Sequence, residues 1–349
     1  MTAIWDLPDF DAHESVHVFE DPKSGLRAVI ALHSTHLGPG AGGTRFWHYA
    51  DKQAAITDAL RLSRGMSYKN AMAGLPLGGG KGVVLAGADH MKSPELLAAF
   101  GRAIESLNGQ YVTAEDVGMS DADMVAIAAE TRHVSGLPVT DSTAAGGDPG
   151  PFTARGVYLG IKAAAKYRLG CDSMAGVHVA IQGVGSVGGG VARLLAADGA
   201  KLTLADVNEA RRDALANELD GDVAGVNEFM TLQADIFSPN ALGAILGAAS
   251  IAALNVAVIA GGANNQMATP QDASRVFDRG ILYAPDYVIN AGGIINVGLE
   301  YLGNVRVKEV NDRIDDIPNR LCTIWDESAA EKIPAAVVAD RMAQRLIGR

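Results

Sequence analysis

Val177-His178-Val179-Ala180-Ile181-Gln182-Gly183-Val184-Gly185-Ser186-Val187-Gly188 decides how the second half of this 349-residue chain folds. Its apolar, β-branched opening reads as a strand, which leads without a break into G-x-G-x-x-G and a helical pattern running to about Ala197. Gly183 permits the tight turn. Gly185, flanked by Val184, Ser186 and Val187, lets backbone N–H groups approach a pyrophosphate, and Gly188 lets helix and strand pack closely. The helix N-terminus adds partial positive charge. Such a motif is weak evidence alone in a chain with 41 glycines. Asp206, however, stands 18 residues beyond Gly188, at the end of the next strand-like run, Lys201 to Ala205. A carboxylate there accepts ribose hydroxyls and repels a 2′-phosphate. The combination predicts dinucleotide binding and favours NAD over NADP, although Arg211 and Arg212 are near enough to accommodate a phosphate.

Outward from this motif the alternation continues, with a helix to about Leu219 and a further β-branched run at Val256 to Ala260. Repeated βαβ units imply an α/β, doubly wound parallel sheet covered by helices on both faces. Upstream, Leu26 to His33 and Tyr111 to Thr113 read as strands. Gln53 to Arg64 reads as a helix, as does Pro94 to Leu107 with Ser93 as its N-cap. The loop Gly146-Gly147-Asp148-Pro149-Gly150-Pro151 reads as a hinge, and Thr153 as a cap for the helix that follows it to about Leu169. After Asn290 the chain is helical to the end. Leu242 to Ala263 carries no charge over 22 residues, but its four glycines, Ser250 and Asn255 favour a buried helix followed by a buried strand over a membrane span.

A net charge of −11 argues against a nucleic-acid partner. Two cysteines, Cys171 and Cys322, lie far apart with no C-x-x-C, which suits a reducing compartment and offers neither a metal site nor a disulfide framework. With no apolar leader at Met1, a cytoplasmic protein is expected.

The first half carries a second chemical signal. Met66-Ser67-Tyr68-Lys69-Asn70 is followed by Gly74-Leu75-Pro76-Leu77-Gly78-Gly79-Gly80-Lys81-Gly82. A phosphate loop is excluded, because Leu75 stands where that motif needs glycine and Gly82 where it needs Ser or Thr. Most lysines are solvated surface charges. Lys69 and Lys81, however, lie among apolar residues and glycines, where desolvation and a second cation would draw a lysine pKa down from ~10.4 and make it usable as a general base. Tyr111-Val112-Thr113-Ala114-Glu115-Asp116-Val117-Gly118 places a carboxylate pair at a strand end, unremarkable loop chemistry on its own.

Taken together these motifs resemble the glutamate, leucine, phenylalanine and valine dehydrogenases, most closely the branched-chain and aromatic members. The resemblance rests on Gly38-Pro39-Gly40-Ala41-Gly42-Gly43-Thr44-Arg45, the two lysines, Ala114 to Gly118, Gly183 to Gly188, Ala260-Gly261-Gly262-Ala263-Asn264-Asn265-Gln266, and Tyr283 to Gly293. It implies reversible oxidative deamination of an L-amino acid to a 2-oxo acid and ammonium, with NAD as cofactor. By this analogy Lys69 and Asn264 bind the substrate carboxylate near Gly42 and Gly43, Lys81 activates water, and Asp116 exchanges a proton with the substrate nitrogen. Thr153 bonds the nicotinamide carboxamide, and Ala241, Gly262 and Ala263 complete the cofactor site. The substrate side chain would meet Ala41, Met66, Ala114, Ile294 and Val297. Glutamate-specific members carry lysine and serine at the positions of Ala41 and Val297, so an apolar substrate, phenylalanine or leucine, is expected here.

The resemblance further implies two domains. Residues 1–138 plus about 330–349 would bind substrate and form a homo-oligomer, with the C-terminal helices returning to this domain; 139–329 would be a Rossmann-type NAD domain. The same residues bear on two rival readings. A non-catalytic NAD sensor would need neither lysine, and an amine dehydrogenase acting on ketones would need neither Lys69 nor Asn264.

Overall fold

The strand His178–Gln182 has a buried centre and partly exposed ends, as a strand in the middle of a covered parallel sheet should. A computed structural model describes residues 3–87, 91–139, 141, 143–226, 228–303 and 305–349. Two compact units emerge, one of residues 1–148, 294–310 and 343–349, the other of 149–293 and 311–342.

In the first unit the strands are β1 (Ser15–Asp21), β2 (Leu26–Ser34), β3 (Gly40–Ala41), β4 (Thr44–Trp47), β5 (Gly78–Leu85) and β6 (Tyr111–Val112), with helices α1 (Lys52–Met72), α2 (Pro94–Glu105) and α3 (Asp121–Ala128). The sheet order is β1-β2-β5-β3-β6, and β4 also pairs with β5. β1, β2 and β5 run antiparallel, whereas β3 and β4 run parallel to β5. The segment 40–47 thus lies along β5, broken only at Gly42-Gly43. On its other side β3 pairs with β6 and Thr44 bridges Glu115. Helix α2 begins at Ser93, whose side chain accepts the Leu96 amide, as the sequence predicts. Helix α1 runs well past Arg64 and carries Lys69 in its last turn. It lies flush on β5 because a side chain at Gly79 would overlap the Ser67 amide and the Ser63 carbonyl. Leu60, Ala59 and Val83 close the core on this face; Phe100, Ile104, Tyr111 and Met124 fill the other.

In the second unit the elements are α4 (Gly150–Leu169), β7 (His178–Gln182), α5 (Ser186–Ala197), β8 (Lys201–Ala205), α6 (Glu209–Leu219), β9 (Asp222–Val223), β10 (Ile236–Pro239), α7 (Ala248–Ala253), β11 (Val258–Ile259), α8 (Gln271–Asp278), β12 (Leu282–Tyr283) and α9 (Asp286–Ile289). All its strands are parallel, in the order β12-β11-β10-β7-β8-β9. This is the doubly wound order of dinucleotide-binding folds, with the topological switch point between β7 and β10. The helices α10 (Gly292–Leu302), α11 (Val307–Ile314), α12 (Ile317–Glu331) and α13 (Ala335–Leu346) complete the chain.

Three details differ from the sequence reading. Thr153 does not cap α4; it lies inside the first turn and its hydroxyl donates to the Pro149 carbonyl at 2.9 Å, because Gly150 and Pro151 have already begun the helix. Helix α7 is short and buries only Ile251, so the charge-free stretch owes its composition to the strand and loops around it. Among the described residues no helix is long and apolar enough to cross a membrane. Finally, the units part at 148/149 rather than 138/139, and only 343–349 of the last helical segment joins the first unit. Residues 294–310 also belong there, since Glu300 accepts the Gly136 and Leu137 amides (2.7 and 3.1 Å) and the Asn296 amide pairs in both directions with Gly146.

Candidate active site

In the first unit the break at Gly42-Gly43 brings three segments together. A side chain at Gly42 would overlap the Gly80 carbonyl and press on Met66, and one at Gly43 would meet the Glu115 carbonyl and Asp116 Cβ. Backbone bonds from Gly42 to Val112 and from Thr44 to Ala114 (3.1 and 2.9 Å) hold the 111–117 segment alongside. Tyr111 secures the break from beneath, its hydroxyl donating to the Gly42 carbonyl at 2.7 Å, and Thr44 and Thr113 share a 2.7 Å bond between their hydroxyls. Ala41, Gly42, Gly43, Met66, Lys81, Ala114 and Asp116 therefore come from four places in the sequence to one place in the fold. Lys69 follows from the anchoring of α1, where the Asn70 amide donates to Gly78 and Ala41 carbonyls at 2.6 and 3.3 Å. Ile294 and Val297 belong to the same unit on α10, Val297 near Gly136, with Gly298 over Leu75 and Leu77.

Lys81 is buried, 5% exposed, and its Nζ donates to Asp116 Oδ2 at 2.5 Å. Burial pushes this lysine below its ordinary range while Asp116 pulls it back. The cation among its leading influences is Arg45, where the sequence suggested Lys69. Burial opposes the Asp116 charge, but Lys81 and Arg45 overcome it and hold the carboxyl below its usual range. The site thus stores a proton acceptor and a proton donor in contact, the lysine buried and the carboxylate a quarter exposed, where small changes in charge move protons. Arg45, Asp58 and Tyr49, which sequence reasoning passed over, complete the arrangement. Arg45 Nε reaches Asp116 at 3.2 Å and its Nη1 reaches Asp58 at 2.8 Å, while the Tyr49 hydroxyl donates to Asp58 at 2.7 Å. The available signal was the arginine two residues after the Gly-Gly break.

In the second unit the turn after β7 has the geometry a pyrophosphate requires. Gly183 takes φ +87°, and a Cβ there would press on Ala241 after β10, on the other side of the switch point. A Cβ at Gly188 would overlap the Gly183 carbonyl, so α5 can start only with glycine at this position. Gly185, the N-cap of α5, has open space where a Cβ would project, and no side chain caps the helix, leaving its first-turn amides to a ligand. Val184, Ser186 and Val187 lie in this same turn. Beyond β8 the Asp206 carboxylate is buried and accepts the Val184 and Asn208 amides, both at 2.8 Å, and Arg211 Nη2 at 2.9 and 3.1 Å. Burial disfavours its charge, and these donors more than compensate.

On the other side of the switch point Asn240 Oδ1 accepts the Gly262 amide at 2.8 Å, the Ala263 amide bonds to Pro239, and Asn290 Nδ2 donates to the Gly262 carbonyl and to Asn264 Oδ1 (3.1 and 2.7 Å). Asn290 Oδ1 is buried with no hydrogen-bond partner among the described residues. An orphaned acceptor here, an uncapped helix start and a Cβ-free turn together fit a nicotinamide dinucleotide, whose carboxamide and pyrophosphate supply the missing donor and anion. Among the described residues no cluster of three or more His, Cys, Asp or Glu is placed to hold a metal.

These features define a two-unit dehydrogenase: a Rossmann unit with a nicotinamide dinucleotide turn, and an α/β unit bearing a buried lysine–aspartate pair. Family models for the Glu/Leu/Phe/Val dehydrogenase dimerisation domain and for glutamate/leucine/phenylalanine/valine dehydrogenase match residues 13–133 and 203–345. The chain is 43% identical to a leucine dehydrogenase of Thermoactinomyces intermedius over 99% of its own length and 93% of the relative's. It is also 43% identical to a valine dehydrogenase of Streptomyces virginiae, over 97% and 94% of the two chains. The crystal structure of L-tryptophan dehydrogenase from Nostoc punctiforme superposes with a TM-score of 0.85 at 38% identity, covering 96% of each chain. The chain belongs to the glutamate, leucine, phenylalanine and valine dehydrogenase family.

Proposed function

We propose that the protein oxidatively deaminates an apolar L-amino acid, phenylalanine or leucine, to its 2-oxo acid, releasing ammonium and reducing NAD. The observation that carries this reading is the buried Lys81–Asp116 pair beside the Gly42-Gly43 break, in a chain that also carries the dinucleotide turn. Overall, the amino acid, NAD⁺ and water give the 2-oxo acid, ammonium, NADH and one proton. NAD, when bound at Gly183–Gly188 and Asp206, supplies the hydride acceptor. Asp116 takes a proton from the substrate ammonium so that the nitrogen lone pair can form the iminium as the hydride departs. Lys81, neutral at this stage, removes a proton from the water that adds to the iminium carbon. Asp116 then returns its proton to the nitrogen, and as the C–N bond breaks the carbinolamine hydroxyl loses its proton to leave the 2-oxo group. The departing ammonia takes up that proton as ammonium, and the proton held by Lys81 is the one released to solvent. Lys69 holds the substrate carboxylate, and Asn264 and Thr153 keep the roles the resemblance implies.

The side-chain pocket assigned to Ala41, Met66, Ala114, Ile294 and Val297 has no charged group. A γ-carboxylate buried unpaired against it would cost several kcal/mol, which disfavours glutamate. Relatives named as leucine, valine and tryptophan dehydrogenases are in keeping with an apolar substrate. The ribose-side carboxylate of Asp206 favours NAD over NADP. A homo-oligomer is supported by the dimerisation-domain model matched at 13–133, and the two free cysteines suit a cytoplasmic setting.

Replacing Lys81 with alanine tests the chemistry. Turnover should be abolished while NADH still binds with its normal Kd, and a near-normal rate would overturn the assignment. Lys69→Ala should raise the KM for the amino acid far more than that for NAD; equal effects would count against its carboxylate role.

A further inference from the structure

Arg45 has no part in the proton transfers assigned to Lys81 and Asp116, yet it ties them to the rest of the first unit. It sits on β4, the strand lying between β5, which carries Lys81, and the 114–117 segment, which carries Asp116. The flanking residues Glu115 and Val117 are exposed, so the Asp116 carboxylate stands on a loop and depends on its partners for its position. One oxygen, Oδ2, receives both Lys81 Nζ at 2.5 Å and Arg45 Nε at 3.2 Å. The other arm of the guanidinium, Nη1, is held at 2.8 Å by Asp58 on α1, a carboxylate whose side chain is only 10% exposed. Asp58 is itself secured by the Tyr49 hydroxyl at 2.7 Å and by Arg61 at 2.9 Å.

Such an arrangement is a costly way to hold a strand to a helix, because Arg45, Asp58 and Asp116 all give up much of their water, and apolar residues would join α1 and β4 as well. What a guanidinium offers and a leucine does not is a rigid planar fork that fixes one carboxylate relative to another. We propose that Arg45, anchored by Asp58 and Tyr49, is a positioning residue that fixes the Asp116 carboxylate against Lys81 for the deamination chemistry. This rests on the functional reading of Lys81 and Asp116 given above. The groups facing the pair are Arg45 from β4, Tyr111 from β6 and, through Arg45, Asp58 and Arg61 from α1 and Tyr49 from the turn before it. Among these, Arg45 is the cation that acts on both members, keeping Asp116 ionised and disfavouring the charged form of Lys81.

The test compares wild type with Arg45→Met, Arg45→Lys and Asp58→Asn, measuring kcat and KM for the amino acid across pH and NADH binding by fluorescence titration. Misplacing a catalytic group by about 1 Å costs on the order of 10²-fold, so Arg45→Met should lower kcat by about that factor. KM for the amino acid and the Kd for NADH should stay within about threefold, a shift small on the tenfold-per-1.4 kcal/mol scale. The alkaline rise of kcat/KM, which follows loss of the Lys81 proton, should move to higher pH. Arg45→Lys, which keeps the cation and loses the fork, should return the rise towards its wild-type position without restoring kcat. Asp58→Asn, which loosens the anchor and leaves Arg45 in place, should give an intermediate kcat and serves if Arg45→Met does not fold. Wild-type kcat in Arg45→Met, or in Asp58→Asn where it stands in, overturns the proposal. So does a uniform loss of rate with the pH rise unmoved, which is what a purely structural role produces. If the wild type oxidises no L-amino acid, the functional reading falls and this inference with it, whereas an active wild type with indifferent Arg45 variants overturns this inference alone.

Discussion

Asp116→Ala and Lys81→Met remove opposite halves of one ion pair, and the two variants should differ sharply in stability. In Asp116→Ala the Lys81 ammonium, its side chain 6% exposed, loses its bonded carboxylate. It must then remain charged and unpaired or give up its proton, and the second course sets a ceiling on the loss. From pH 7 to the ~10.4 of an ordinary lysine is 3.4 units, about 4–5 kcal/mol, within the range typical of a broken buried pair. At pH 9 the same ceiling falls to about 2 kcal/mol. The sign follows from linkage. A lysine whose folded pKa lies below its unfolded value binds fewer protons when folded, so stability rises with pH between the two values, and the rise is steeper once Asp116 is gone.

Lys81→Met is different, because Asp116 keeps Arg45 at 3.2 Å and a quarter of its side chain is exposed. Methionine fills the vacated volume and no desolvated ammonium remains, so the change should be within about 1 kcal/mol of wild type. Urea unfolding followed by tryptophan fluorescence at pH 7 and pH 9 measures both variants. Equal destabilisation of the two, or an Asp116→Ala deficit that does not shrink at pH 9, would refute the picture of a buried lysine whose proton burial disfavours and Asp116 favours.

His33 is fully buried, bonded to Ser67 at 2.8 Å and to Arg349 at 2.8 Å, and burial with the nearby guanidinium lowers it to about 4. The unfolded chain therefore takes up a proton first, and stability should fall by up to roughly 3 kcal/mol as pH drops from 6.5 to 4. His33→Asn should lose that pH dependence in urea titrations, and an unchanged slope would count against it. Arg211 lies half exposed 2.9 Å from Asp206, the carboxylate proposed above to meet the ribose. Arg211→Ala should weaken NADPH binding about tenfold, equivalent to 1.4 kcal/mol, with NADH little affected; equal changes for both in fluorescence titrations would contradict this. Gly79→Ala forces a methyl group into the α1 backbone and should cost about 1–3 kcal/mol, with a raised KM for the amino acid as Lys69 moves. A wild-type melting temperature would show that α1 and β5 are less tightly apposed than described.

Local chemistry was readable from the sequence where it is local in the chain. The turn at Gly183 to Gly188 needs a strand, three glycines and a helix in one short run, and Asp206 needs only the next strand end. Ser93 as the start of α2 is of the same kind. What the sequence concealed depends on pairing across long separations. Lys81 and Asp116 meet because β4 lies between their segments, and Lys81 is buried on β5, which is paired with β2 on one side and with β3 and β4 on the other. Arg45 and Asp58 were invisible for the same reason, since nothing in a lone arginine or a helical aspartate says that the two share a bond. Thr153 reads as a cap only if Gly150-Pro151 is loop, whereas proline is well suited to the first turn of a helix and α4 has already begun there. Residues 294–310 group with the first unit through ties to 136, 137 and 146 that span 150 and more residues of sequence, which no local pattern reveals.

The most direct test is NADH production by the purified wild-type protein with a panel of L-amino acids, with NADP as the control. NADH should accumulate with phenylalanine or leucine, and ammonium and the 2-oxo acid should appear in equal amount. Glutamate should be a far poorer substrate, and NADP should support a lower rate. No NADH from any apolar L-amino acid, or glutamate preferred over all of them, would contradict the account.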